Sequence, residues 1–446
     1  MGGGCRVRVI SGPLIGEAPR VAPGGETPHR TGYAWYVLIV LVAVYGANFA
    51  DRYIFIIMME PIKRDLHLSD TQLGLISGLA FSAIYSVAGL AVARWADLGN
   101  RRSIIAAALA VWSALTAVCG LTSNFFQLLI ARMGVGVAES ACSPPAYSLI
   151  SDYFPQRLRA LAFSVYSVGL SVGLAVGFIL GGWIGEHFGW RTAFIAIGVP
   201  GILLAVLTRV SVREPQRGAS DSGVVDATRY SAREAAAFML KRPSFVAYLL
   251  GSALFVFAGT ALDSWAPLFL MRVHGLPEGE VGLWTGVLGS IAGLTGAVTA
   301  GWIADRLSVR DLRWNLWVAL AGVALEIPST LLFLFATTHA VPLFYFASVF
   351  LDAVYMPPTF AITHAIMPLR MRALASAVLL LGYNFVGTAG CNFIIGYLSD
   401  RWEFSLHVDS VRYAMAITQL AAVAGAVCTI YAIIRMPRDF REHFAR

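Results

Sequence analysis

The sequence predicts an all-α membrane protein whose 12 transmembrane helices form two pseudo-symmetric six-helix bundles. Three observations carry this. Of 446 residues, 57% are hydrophobic and 13% charged, with a mean hydropathy of +0.69, against about 25% charged in an average soluble domain. Apolar windows of roughly 20 residues, long enough to cross a hydrocarbon core of about 30 Å, start near residues 34, 71, 103, 125, 160 and 191, and again near 244, 280, 314, 341, 374 and 412. The chain also repeats itself: AESACSPPAYSLISDYFPQRLRALA from 138 aligns with LDAVYMPPTFAITHAIMPLRMRALA from 351 at an offset of 213. Glu139 falls on Asp352, Pro144 and Pro145 on Pro357 and Pro358, and Arg157 and Arg159 on Arg370 and Arg372. Two apolar helices seldom share a carboxylate, a Pro pair and an Arg-x-Arg loop by chance, so the halves are related.

Taken in order, residues 1–32 are rich in Gly, Pro and Arg, lack an apolar core of signal-peptide length, and read as a disordered tail. Residues 33–210 make the first bundle. Residues 211–243 are a polar linker with a short amphipathic helical pattern around 232–240, residues 244–436 the second bundle, and 437–446 a terminal tail. Orientation follows from Lys and Arg, which concentrate in cytoplasmic loops. With the N-terminus inside, cytoplasmic segments hold 25 of the 33 and outer loops six, leaving Arg52 and Arg132 within the membrane. Both termini are therefore expected in the cytoplasm, with the chain crossing the plasma (bacterial inner) membrane. The net charge of +7 serves topology and anionic lipid headgroups, and no aromatic-laced basic domain points to nucleic acid. The five cysteines have no paired spacing for a disulfide or a metal.

The segment ARWADLGNRR (93–102) follows span two and GWIADRLSVR (301–310) follows span eight, both at expected cytoplasmic ends. This loop, in two repeated six-span halves, resembles the major facilitator superfamily, whose pattern there is G-x-L-A-D-R-x-G-R-[RK]; the resemblance covers residues 33–436. It implies the major facilitator fold and alternating access around a midplane site between the halves. The second copy keeps Gly301, Asp305 and Arg306, whereas the first has Ala93, Leu98 and Asn100 where the pattern has Gly, Arg and Gly. Asp97, Arg101, Arg102, Asp305 and Arg306 are thus expected to form a cytoplasmic gate, pairing across the halves when the outer side opens. With Leu98 replacing an Arg, the latch should be weak and the resting state should lean inward-open.

The stretch VYGANFADRYIFIIMM (44–59) places Asp51 and Arg52 inside an apolar run. Asp51 stands about 12 Å from the outer end of span one, and Arg132, on the antiparallel span four, about 10 Å from the same surface. Glu139 lies seven residues beyond Arg132, on the same face and nearly two turns deeper. Charge at this depth costs from about 2.5 to over 10 kcal/mol when uncompensated, so the four side chains must meet one another or a cavity. Two readings compete: static pairs that fix packing, or a coupling site. Burial favours the neutral, protonated form of a lone midplane carboxylate, which suits it to carrying protons.

The motifs NFADR (48–52), LSDTQLGL (68–75), GNRR (99–102) and ARMGVGVAES (131–140) are similar to those of the spinster family. That resemblance implies a lysophospholipid or a sphingoid phosphate as substrate. It makes Asp51 and Glu139 the proton-linked carboxylates, with Arg52 and Arg132 as their partners or as headgroup contacts. The expected function is proton-coupled secondary transport of a small amphiphilic or anionic substrate by a monomer in membrane lipid, without a cofactor. A sugar-acid or organic-anion symporter of the same superfamily, and a sensor or scramblase on this frame, stay open. Tyr45, Asn48, Asp263, Asp352, Tyr383 and Asn384 are cavity candidates; Glu326 and His364 read as polar groups satisfied by packing. Glycines 169, 173, 177 and 181 make a smooth strip for close helix contact. No nucleophile, metal-ligand or P-loop motif points to an enzyme or an ATP-driven motor.

Overall fold

The computed structural model describes residues 31–216, 237–368 and 371–441. The expected N-terminal tail, most of the linker with the start of its amphipathic helix, Arg370 and residues 442–446 lie outside the described residues. Among the described residues every regular element is helical. Eleven helical stretches are long and apolar enough to cross a membrane. The last, Leu374–Asp439, has 66 residues, about 100 Å at 1.5 Å per residue. It reverses at His407, where φ is 49°, and so supplies two crossings, which gives the twelve spans that the hydropathy predicts.

Span one is Thr31–Ile57, followed by a short helix, Met59–Leu66. Span two begins at Asp70, passes through a π-helical segment Leu75–Ala83 and ends with Ile84–Leu98. Spans three to six are Arg101–Cys119, Phe125–Tyr153, Gln156–Phe188 and Trp190–Ser211. Spans seven to ten are Pro243–His274, Glu278–Ser308, Trp314–Phe335 and Val341–Ile366. Span eleven runs from Arg372 through a π-helical segment Tyr383–Ala389 to Leu406, and span twelve is Ser410–Asp439. Spans four and ten each break just before their Pro pair, after Glu139 and after Asp352. Proline lacks the N–H that would continue the ladder, so a new helix starts there.

The glycine strip works as its spacing suggests. Gly169, Gly173 and Gly177 of span five lie directly on the backbone of Val42, Gly46 and Ala50 of span one, where any Cβ would clash. On its other side, span five packs against span eight, with Gly182 on Glu278, Gly282 on Phe178 and the Ser290 hydroxyl donating to the Ser171 carbonyl at 3.2 Å. Below Ser290 this contact is lost. Gly293 and Gly301 face open space, and Val298 and Trp302 are 64% and 55% exposed. Spans two and eleven likewise meet at their predicted outer ends, Gly74 against Asn392 and Gly396 against Asp70. The halves therefore close at the expected outer end and separate at the expected cytoplasmic end.

The outer closure is built from charges. Arg272, ending span seven, bonds Glu60 at 2.7 Å and Asp70 at 2.6 Å, and Lys63 bonds Asp70 at 2.8 Å. Ser399 donates to Asp70 at 2.6 Å. The Asp400 carboxylate accepts the backbone N–H groups of Asp70 and Thr71 at 2.8 and 2.7 Å, the favourable position for an anion at a helix N-terminus. A capping box of Ser69 and Gln72 fixes that terminus. Nearby, Arg191 and Trp190 of span six hold the exposed Asp65, and the Arg191 hydrogen bond keeps its carboxyl below the usual carboxylate range.

Because Arg272 ties the halves only in this closed arrangement, Arg272→Gln should shift the population toward an open outer end by at least about tenfold. Breaking a buried ion pair costs about 3–5 kcal/mol, and about 1.4 kcal/mol is a factor of ten. Spin-label distances between the short helix after span one and the turn after span eleven measure this. Distributions matching the wild type would remove Arg272 from the gate.

Candidate functional site

Asp51 and Arg52 are neighbours on span one, so their side chains leave the helix about 100° apart and serve different partners. Asp51 points to span four, where Arg132 donates to it at 3.2 Å, and to span three, where the Thr116 hydroxyl donates to its other oxygen. Arg52 reaches Glu139 at 2.8 Å. Helical side chains lean toward the helix N-terminus, which on span one is the deeper side, and this carries Arg52 down to Glu139. The two pairs are stacked in depth, as the seven-residue spacing of Arg132 and Glu139 requires.

Their surroundings differ. Asp51, Arg132 and Glu139 are buried, whereas the Arg52 side chain is 23% exposed. Its guanidinium lies 5.0, 4.9 and 4.6 Å from the ring centres of Phe49, Phe81 and Tyr85. Arg132 lies over Phe55 at 4.7 Å and over Phe81 at 5.1 Å, so Phe81 is shared by the two cations. Gly136 admits this ring, because a Cβ there would press on Phe81. One oxygen of Glu139, Oε1, is buried and has no hydrogen-bond partner among the described residues. Thr116 and the aromatic cage had no distinctive sequence signal; a lone Thr and scattered aromatics look ordinary in apolar helices.

The second bundle keeps the positions but not the partners. Asp263 sits in the π-helical segment Ala261–Trp265, and Asp352 packs against Gly259. Among the described residues neither has an ion-pair partner. The repeat explains why: Tyr345 stands where the offset of 213 would place a counterpart of Arg132, and Ser264 follows Asp263 as Arg52 follows Asp51. Glu326 accepts from Thr330 at 2.7 Å and His364 meets Ser376 at 2.8 Å, in line with a packing role.

The four polar cavity candidates of spans one and eleven are mostly enclosed in this conformation. Asn48 and Tyr383 are buried, and Asn48 Nδ2 has no hydrogen-bond partner among the described residues. Tyr45 stacks on Tyr166 at 4.4 Å, and Asn384 donates to the Leu380 carbonyl at 3.0 Å.

Asn100 caps span three by accepting from the Ser103 N–H at 2.9 Å, which turns Arg101 inward. Arg101 is buried and bonds Asp152 at 2.5 Å, Glu214 at 2.7 Å and Ser148 at 2.8 Å, while the Arg102 N–H donates to Glu214 at 2.9 Å. All these partners precede residue 217, so Arg101 is tied into its own half and is no part of a cross-half latch here. Asp305 and Arg306 are exposed on the other half, with Arg306 over Trp302 at 3.9 Å. The Asp97 and Leu98 side chains lie outside the described residues.

The chain's relatives agree with this architecture. The family profile described as Major Facilitator Superfamily matches residues 41–390. An "MFS-type efflux pump" of Mycolicibacterium smegmatis (strain ATCC 700084 / mc(2)155) is 32% identical, over 96% of this chain and 99% of that protein. "Protein spinster homolog 1" of Xenopus laevis is 29% identical, over 90% of this chain and 82% of its own. The crystal structure of a bacterial homolog to the human lysosomal transporter Spinster, inward-facing and unoccupied, superposes with a TM-score of 0.84 at 28% identity. It covers 92% of this chain and 98% of that one.

Proposed function

The chain belongs to the major facilitator superfamily, as a spinster-like membrane transporter, and from that premise we propose that it couples protons to the movement of an amphiphilic lipid, such as a lysophospholipid or a sphingoid phosphate. The observation that carries this reading is the asymmetry of the Arg52–Glu139 pair. Glu139 is buried with a bare oxygen, and Arg52 is partly open among aromatic rings. A proton on Glu139 removes the charge that holds Arg52, freeing the guanidinium for a substrate phosphate or carboxylate. The rings of Phe49, Phe81 and Tyr85 suit the apolar portion next to such a headgroup. The Asp51–Arg132 pair, buried and bonded to Thr116, holds the cage in place and is the second candidate for proton exchange.

The two end states interconvert by rocking of the halves. The Arg272–Glu60–Asp70–Asp400 network closes one end, and Asp97, Asp305 and Arg306 are the candidates for closing the other. A binding screen on purified protein tests the substrate class. Lysophospholipids and sphingoid phosphates are expected to bind, and Arg52→Gln to weaken them by about tenfold or more, as loss of a charge-assisted bond implies. Selective binding of hexuronates instead would replace the lipid reading with the sugar-acid one.

A further inference from the structure

On the lipid-facing side of the second bundle, spans eight, nine and ten leave a groove of about 350 Å³. Its floor is low because the residues there are small. Ala300 and Gly322 are buried, and a Cβ at Gly322 would collide with Val354. Leu325 and Phe350 form its walls. One end opens at the turn between spans eight and nine, where Trp314 and Trp317 line it and are partly exposed. Tryptophans in that position mark the membrane–water interface.

Three arginines belong to the same turn: Arg306 lies in the last turn of span eight, and Arg310 and Arg313 fall between spans eight and nine. Arg313 is already neutralised by Asp311 at 2.6 Å. Arg306 and Arg310 are exposed and have no carboxylate partner among the described residues, and Arg306 lies over the Trp302 ring. An apolar slot that reaches a turn carrying two exposed arginines without a carboxylate partner among the described residues matches a phospholipid in charge and polarity. Acyl chains can fill the slot, and a basic rim between transmembrane helices selects an anionic headgroup. We propose that this groove binds one acyl chain of an anionic phospholipid from the adjoining leaflet, with its phosphate on Arg306 and Arg310. The site is separate from the Arg52–Glu139 cage and does not depend on how that cage works. It would bind lipid to the loop that carries Asp305, one of the gate candidates.

Native mass spectrometry of the purified full chain, mixed with dioleoylphosphatidylglycerol and dioleoylphosphatidylcholine, tests it. The wild type is expected to retain phosphatidylglycerol preferentially, and the R306Q/R310Q double variant to lose that preference by about tenfold. Both changes are on exposed side chains and should not disturb folding. Ala321→Trp, which fills the groove from its exposed wall, should also displace the lipid with both arginines intact, and Arg209→Gln, outside the groove, should not. Equal retention of the two lipids overturns the proposal. So does retention unaffected by R306Q/R310Q, or a preference that survives Ala321→Trp, which would leave only a charged patch.

Discussion

Glu139→Gln is expected to leave the protein folded and inserted while removing the pH dependence of transport. The amide has the shape of the acid and can still accept from Arg52, but it cannot gain or release a proton. Arg52 then keeps its charge without a counter-charge. Breaking a buried pair costs about 3–5 kcal/mol, and the partial exposure of Arg52 reduces this, so a stability loss below about 3 kcal/mol is expected. Substrate exchange measured from pH 5 to 8 should be flat in the variant and pH-dependent in the wild type. A variant whose profile follows the wild type would place the proton on another group.

Asp51 and Arg132 should behave as one unit. Each of Asp51→Asn and Arg132→Gln strands a buried charge, and each is expected to destabilise the protein by about 3–5 kcal/mol. The double variant removes both charges and should cost less than the sum of the two by about 1–3 kcal/mol. Thermal unfolding of the four proteins in one detergent measures this coupling. Strictly additive losses would mean that the contact at 3.2 Å carries no energy. The variants also separate the two readings of this pair: a packing clamp would affect unfolding alone, whereas a coupling group would also alter the transport profile of the double variant.

The central charges could be read from the sequence because each is an anomaly in its own helix. Asp51, Arg52, Arg132 and Glu139 interrupt long apolar runs, and helical rise alone places them at two depths. The glycine strip of span five could be read for the same reason, as a period of four on one helix. The outer closure could not. Glu60, Asp70, Arg272 and Asp400 lie up to 340 positions apart and look like ordinary loop charges until the halves come together. One local signal was available: the Ser69–Gln72 capping box marks a helix starting at Asp70, and so a terminus that attracts a carboxylate. The intra-bundle partners of Arg101 were not legible, because loop charges read along the chain carry no direction and the Asn100 cap turns this one toward Asp152 and Glu214. Asp263 and Asp352 show how far the repeat can be trusted: it preserves a carboxylate position, but Tyr345 stands where the first half has Arg132.

The most direct test of the account is accumulation of a labelled lysophospholipid in sealed proteoliposomes under an imposed proton gradient, with Glu139→Gln run in parallel. The wild type is expected to concentrate the lipid beyond equilibrium in the direction set by the gradient and to stop when a protonophore collapses it. The variant should reach equilibrium and go no further. Gradient-driven accumulation by Glu139→Gln equal to that of the wild type, or a wild type indifferent to the gradient, would contradict it.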